Sequence, residues 1–282
     1  MEKNLRDRLI TVGIGIPAVL SMIFFVPHYN YILFSLLAIV VGLLGSLEMS
    51  KLLFGKRTIL AYIAALIPVV QYLQGVFRFN AQIPDLIFVL MILWAFSLEI
   101  KLGEKDDFKD SLERSAKNSI LVLYPGYFVS FILRFLALEG VTSYAIILYL
   151  VLAFGNDVFA YVWGRLFGRN NKGIVKVSPK KSVAGYVGSF FTTIALAIGY
   201  CAIFRDHLPH ISIGYQIFLG AAISITANVG DLIESVFKRS AGVKDSGNIF
   251  PGRGGALDSM DSLISSAPVF FIIFSMILGG IQ

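Results

Sequence analysis

The run ISIGYQIFLGAAISITANVGDLIESVFKRS, Ile211–Ser240, decides how this chain folds. Its first part is apolar enough to lie in hydrocarbon. Its second part sets Ser224, Asn228, Asp231, Ser235 and Lys238 at intervals of three or four, which places them along one face of a helix. Glu234 follows Asp231 by three residues, on the same side. Counted back from Arg239, Asp231 lies roughly 12 Å beneath the end of such a helix. A lone charge at the centre of a membrane helix costs about 2.5–3.5 kcal/mol even on mild scales, so two carboxylates at that depth require a cation, a partner or water. Two readings stand at this point: an interhelical salt bridge, or a cavity for a metal ion or a substrate.

The rest of the chain has the same solvent in view. Of its 282 residues, 56% are hydrophobic and only 15% charged, with a mean hydropathy of +0.77, which excludes an ordinary soluble domain. A span needs about 20 mostly apolar residues, and nine segments qualify, near 9–26, 31–50, 58–77, 83–100, 119–138, 143–164, 185–204, 213–237 and 262–280. The first resembles a signal peptide, because Lys3, Arg6 and Arg8 precede it. No small-residue cleavage site follows, and the next span begins almost at once, so it is expected to be a helix. The expected fold is an all-α polytopic membrane protein with about nine transmembrane helices and a cytoplasmic N-terminus.

The basic residues support that orientation. With the N-terminus inside, 21 of the 24 Lys and Arg residues fall in cytoplasmic segments, and only Arg78, Arg134 and Arg205 fall outside. The same bias accounts for the net charge of +6 without a nucleic-acid partner. The single cysteine, Cys201, excludes an intrachain disulfide, and His28, His207 and His210 all lie in predicted outer loops. Chemistry on the cytoplasmic side must therefore use carboxylates, lysines, arginines, backbone amides and metal ions.

Polar residues inside spans are confined to the second half. Residues 1–140 read as a scaffold of membrane helices, and 141–282 as a membrane-embedded catalytic half. Segment 101–117, KLGEKDDFKDSLERSAK, reads as an interfacial amphipathic helix between the fourth and fifth spans. In AFGNDVFAYVWGRLFGR, Asn156 and Asp157 sit in an otherwise apolar span, where Asp157 either lines the same cavity as Asp231 or braces it. The loop that follows has six basic residues in 17 positions, from Arg165 to Lys181, which suits phosphate groups. Within it, SPKKS brings Lys180 and Lys181 to the start of the next span, where helix amides and two ammonium groups form an anion site.

The last motif is KDSGNIFPGRGGALDSMD, Lys244–Asp261. Glycines in PGRGG let backbone amides approach a phosphate. Asp258 and Asp261 are three apart and share a face if the last helix has begun there. Paired carboxylates after a glycine turn, with another carboxylate pair and Lys238–Arg239 before it, suggest Mg²⁺ bound to a polyphosphate.

The stretch Ser235–Asp261 resembles the signature of the phosphatidate cytidylyltransferase, or CDP-diacylglycerol synthase, family. Ser235, Lys238, Arg239, Lys244, Asp245, Gly247, Pro251, Gly254, Gly255, Asp258 and Asp261 fall at the matching spacings, and GDLIES, ND…GRLFGR and SPKKS are similar to other family segments. Arg253 stands at a His position, Ala256 at an aliphatic one, Ser259 at an Arg position, and Ala184 where Glu is usual after SPKK. The resemblance implies that CTP and phosphatidic acid give CDP-diacylglycerol and pyrophosphate. Asp231, Asp258, Lys238 and Lys244 would carry catalysis. Lys180, Lys181, Arg239, Arg253, Gly254, Gly255 and Ser235 would bind substrate phosphates. Asn156, Asp157, Asn228 and Asp245 would support them, and Asp231, Glu234, Asp258 and Asp261 would hold Mg²⁺. It also implies a monovalent cation such as K⁺, a homodimer, and a multi-pass place in the cell (inner) membrane with the active site facing the cytoplasm. The alternatives are a CTP-dependent lipid-alcohol kinase, with Asp157 or Asp245 as base, and an ion-coupled transporter.

Topology is directly testable. Single cysteines placed at Lys180 and Lys244 should react with an impermeant thiol reagent only from the cytoplasmic side; labelling of either from outside would sink the orientation.

Overall fold

The structure, a computed structural model, describes residues 17–249 and 254–279. Among these, eight helices are long and apolar enough to cross a membrane: α1 His28–Phe54, α2 Ile59–Phe77, α3 Ile83–Lys105, α4 Ser111–Ala137, α5 Thr142–Phe167, α6 Val183–Ile203, α7 Ile213–Ser240 and α8 Ala256–Gly279. They coincide with the last eight expected spans. The first expected span, 9–26, lies partly outside the described residues; 17–24 are helical. No strand occurs among the described residues, and one isolated bridge joins Lys172 to Ser182.

Two boundaries differ from expectation. Segment 101–117 does not form a separate interfacial helix. Its first residues end α3, residues 106–110 turn, and Ser111–Lys117 open α4. Nothing between Ser111 and Leu121 breaks a helix, so the polar turns run straight into the apolar ones. The Arg114 guanidinium ties the turn down, donating to Glu99 Oε2 at 2.8 Å and pairing with Asp106, whose carboxyl it holds below the ordinary carboxylate range. The second difference is that α8 starts at Ala256 rather than near 262, so Asp258 and Asp261 are both helical.

The chain divides into two compact units. Unit 1 comprises Met1–Leu136 and Asp245–Asp258, and unit 2 comprises Ala137–Lys244 and Ser259–Gln282. The first break falls close to residue 140. The glycine-rich segment and the first turn of α8 group with the N-terminal helices.

In unit 1, α2 packs on α1 and α4. Midway along α4, Val122–Tyr127 widens into a π-helical turn around Pro125. Proline has no N–H to return to the preceding turn and its ring crowds that carbonyl, so the ladder expands there.

In unit 2, α5, α6 and α7 pack against one another and are tied by a buried polar knot. The side-chain oxygen of Asn156, on α5, accepts from Ser224 Oγ at 2.7 Å and Asn228 Nδ2 at 3.2 Å on α7, and from Thr193 Oγ1 at 3.4 Å on α6. Asn228 also donates to Ser189 Oγ on α6 at 3.3 Å. The Tyr149 hydroxyl of α5 donates to the backbone carbonyl of Leu263 on α8. In hydrocarbon such groups have only one another for partners, which fixes the rotation of each helix about its axis.

Asn156→Leu keeps the branched shape and the number of heavy atoms and deletes the shared acceptor. With three contacts at about 0.6 kcal/mol each, it should cost about 2 kcal/mol and lower the melting temperature in detergent by several degrees. An unchanged melting temperature would show that the knot does not hold the helices.

Candidate functional site

Unit 2 brings together most of the charged residues picked out from the sequence. Asp231 projects from α7 and pairs with Lys181 at the end of the loop before α6. One helical turn on, the fully buried Glu234 pairs with Lys238. Asp157 on α5 accepts from Ser262 Oγ on α8 at 2.9 Å. Asp261 is buried one residue earlier on α8, where its carboxyl meets the charges of Asp231, Asp157 and Glu234. Four carboxylates thus face two ammonium groups.

The loop that supplies Lys181 is held by its own backbone. The Gly173 N–H donates to Lys181 O at 3.2 Å, Val183 N–H to Asn171 O at 3.1 Å, and Lys181 N–H to Ser178 O at 3.1 Å. Ser182 caps α6 by accepting from Gly185 N–H at 3.1 Å. This doubled-back turn points Lys181 at Asp231 and leaves Lys180 exposed. The Lys181 ammonium also lies 5.6 Å from the Tyr186 ring, whose hydroxyl is buried without a hydrogen-bond partner among the described residues.

The other predicted residues differ in exposure. Lys244, Asp245 and Arg239 are exposed, and Arg239 donates to Val243 O at 2.9 Å. Ser235 is buried on α7. Arg253 lies outside the described residues.

Unit 1 holds the glycine-rich segment around two carboxylates. Asp258 Oδ2 accepts from Ser246 N–H at 2.7 Å, Gly255 N–H at 2.8 Å and Ser246 Oγ at 2.9 Å. The second carboxylate is Glu48, buried in α1, in the stretch read as plain scaffold. Its Oε1 accepts from Ala256 N–H at 3.0 Å, and its Oε2 from Leu257 N–H and Ser246 Oγ, both at 2.9 Å. The Asp258 N–H faces Ser246 Oγ at 3.4 Å. Side chains therefore serve the Gly255 amide and the first three amides of α8, from Ala256 to Asp258.

The glycines make room for those carboxylates. A Cβ on Gly247 would lie 2.3 Å from Glu48 Oε1, and one on Gly255 would lie 2.3 Å from Glu48 Oε2. Gly254 has φ +97°, and a Cβ there would sit 2.6 Å from Asp258 Oδ2. Sequence reading missed Glu48. The only signal for it was an acidic residue with an uninterrupted apolar span before it.

The fit to Mg²⁺ rests on donor chemistry. Among the described residues no three His, Cys, Asp or Glu side chains are gathered as a ready-made ligand set. Mg²⁺ does not need one, because it takes one or two carboxylates and completes its shell with water and substrate phosphates. The hard oxygen donors and the excess of carboxylates over ammonium groups within this cluster fit such an ion.

Apolar spanning helices with a carboxylate and ammonium cluster sunk among them define an integral membrane protein built for chemistry on charged groups. The sequence profile of the Cytidylyltransferase family matches residues 6–277, and the chain belongs to that family. It is 32% identical to the phosphatidate cytidylyltransferase of Thermotoga maritima, over 99% of both chains. It is 29% identical to that of Haemophilus influenzae, over 97% of this chain and 100% of the relative. With the enzyme of the same name from Rickettsia bellii it shares 34% identity over 68% of this chain and 82% of the relative.

The Lys181–Asp231 pair separates a functional cluster from a merely structural one. Its side chains keep 22% and 35% of their exposure, so the pair is not locked in the packed interior and its loss should cost little stability. Lys181→Met and Asp231→Asn are each expected to lower turnover by about two orders of magnitude or more while the melting temperature without Mg²⁺ barely moves. Large melting shifts with turnover per folded molecule near wild type would assign the pair to structure alone.

Proposed function

We propose that this protein is a phosphatidate cytidylyltransferase, a nucleotidyltransferase that makes CDP-diacylglycerol from CTP and phosphatidic acid. One observation carries the reading: a chain similar end to end to enzymes of that name sinks its carboxylate and ammonium cluster into helices α5, α7 and α8. A site at that depth suits a substrate whose acyl tails never leave the bilayer.

In the reaction a phosphate oxygen of phosphatidic acid attacks the α-phosphorus of CTP. A new P–O bond forms there, the bond from the α-phosphorus to the β-bridging oxygen breaks, and pyrophosphate leaves with that electron pair. The nucleophile is already an anion, so no protein base is needed, in keeping with a cluster of carboxylates and ammonium groups. Catalysis then consists of positioning and charge neutralisation.

Lys180, Lys181, Lys238, Arg239, Lys244 and Arg253 would hold phosphate oxygens, with Ser235, Gly254 and Gly255 beside them. Lys181 and Asp231 neutralise each other. A phosphate that takes the Lys181 ammonium releases Asp231 to a cation. Asp231, Glu234, Asp261 and Asp258 are the carboxylates that would hold Mg²⁺. Once bound, that ion would offset polyphosphate charge and stabilise the leaving pyrophosphate. Asn156 and Asn228 keep α5 and α7 in register, and Asp157 anchors Ser262 of α8. Asp245, exposed, would support them. A monovalent cation such as K⁺, a homodimer, and a cytoplasm-facing site in the cell (inner) membrane complete the proposal.

Purified protein given phosphatidic acid, Mg²⁺ and CTP labelled in turn at the α- and γ-phosphates should place the α-label in lipid and the γ-label in pyrophosphate. Transfer of the γ-label to lipid with release of CDP would replace this reading with a CTP-dependent lipid kinase.

A further inference from the structure

Glu48 is a carboxylate 8% exposed in an apolar helix, and nothing in the proposed chemistry uses it. Burying such a charge is costly unless donors surround it. Its donors are the Ala256 and Leu257 amides and the Ser246 hydroxyl, and all belong to the segment that presents Asp258. The positive end of α8 adds to their pull.

Ser246 links the two carboxylates. Its hydroxyl lies 2.9 Å from both Glu48 Oε2 and Asp258 Oδ2. One hydroxyl proton can serve only one of these oxygens at a time. Glu48 therefore influences Asp258 twice: it pins the first turn of α8, and it competes for a donor that Asp258 also uses. Gly247 and Gly255 are the backbone side of the same contact, since either Cβ would overlap a Glu48 oxygen.

We infer that Glu48 is a positioning residue for cytidylyl transfer: from α1 it anchors the glycine-rich segment and the head of α8, and so sets the placement of Asp258. The inference rests on the reading of Asp258 as a carboxylate of the reactive site. It gives the N-terminal half a part in the chemistry, carried by hydrogen bonds that span about 200 residues of sequence.

The test uses full-length protein in nanodiscs. Glu48→Gln keeps the size but replaces one acceptor oxygen with an NH₂ group, which must face an amide. Loss of a supporting partner typically costs 10–100-fold, so kcat should fall by about that factor with KM for phosphatidic acid nearly unchanged and the Mg²⁺ requirement raised. Amide hydrogen exchange should quicken in peptides covering 245–249 and 254–258 and stay unchanged in α5, α6 and α7. Glu48→Asp keeps the charge and should recover part of kcat, and it serves if the Gln variant fails to fold. Gly247→Ala, which crowds Glu48 Oε1, should reproduce the defect.

Wild-type kcat and unaltered exchange in Glu48→Gln would overturn the inference. So would activity lost only in proportion to folded protein, with exchange rising throughout, because that is the behaviour of a purely structural carboxylate. If wild-type protein transfers no cytidylyl group, the functional reading fails, and local exchange still decides whether Glu48 anchors the segment.

Discussion

A carboxylate inside hydrocarbon must be given either a cation or a set of N–H and O–H donors, and the arrangement of this protein follows from meeting that demand repeatedly. Asp231 and Glu234 receive ammonium groups, one from a neighbouring loop and one from the next turn of the same helix. Asp258 and Glu48 receive backbone amides and a hydroxyl. The difference matters for chemistry. An ammonium partner can be drawn away by an incoming phosphate, whereas backbone amides cannot leave without unwinding a helix. Carboxylates held by lysines are suited to exchange partners, and those held by amides are suited to fix geometry.

The polar face of α7 was legible because helical periodicity acts over a few residues, and nothing in Ile211–Ser240 competes with it. Asn156 and Asp157 were legible for the same reason, since any polar side chain in an apolar span must be paired. That Asn156 is the acceptor shared by Ser224, Asn228 and Thr193 was not, because it depends on how three helices are rotated. Segment 101–117 shows the converse error. A polar composition suggested a separate surface helix, but backbone continuity from Ser111 carries those turns into α4. Composition reports the solvent a residue prefers, and breaks in the chain come from residues that cannot continue a helix.

Glu48 was the least legible residue, and the reason is physical. Seen along the chain it stands near the end of an apolar run, just before Met49, Ser50 and Lys51, where an acidic residue usually meets water. Its partners are 198 to 209 residues away. The glycines of the last loop hid the same fact. Beside the phosphate-binding part proposed for Gly254 and Gly255, these glycines have a packing role. In the structure Gly247 and Gly255 leave room for a carboxylate from α1, and the Gly255 N–H is already directed at Asp258.

Charge set among membrane helices is costly unless it is partnered, and a charge that binds substrate must still be able to change partners. Fixed neutrality, with every charge locked to a permanent partner, would exclude the substrate. Uncompensated charge would make the helices too costly to insert. Half-open pairs such as Lys181 with Asp231 lie between these limits. Each group is paired and yet partly exposed, which leaves it open to a competing ion. The fully buried Glu234 is the more fixed of the two carboxylates, because its Lys238 partner comes from its own helix and travels with it.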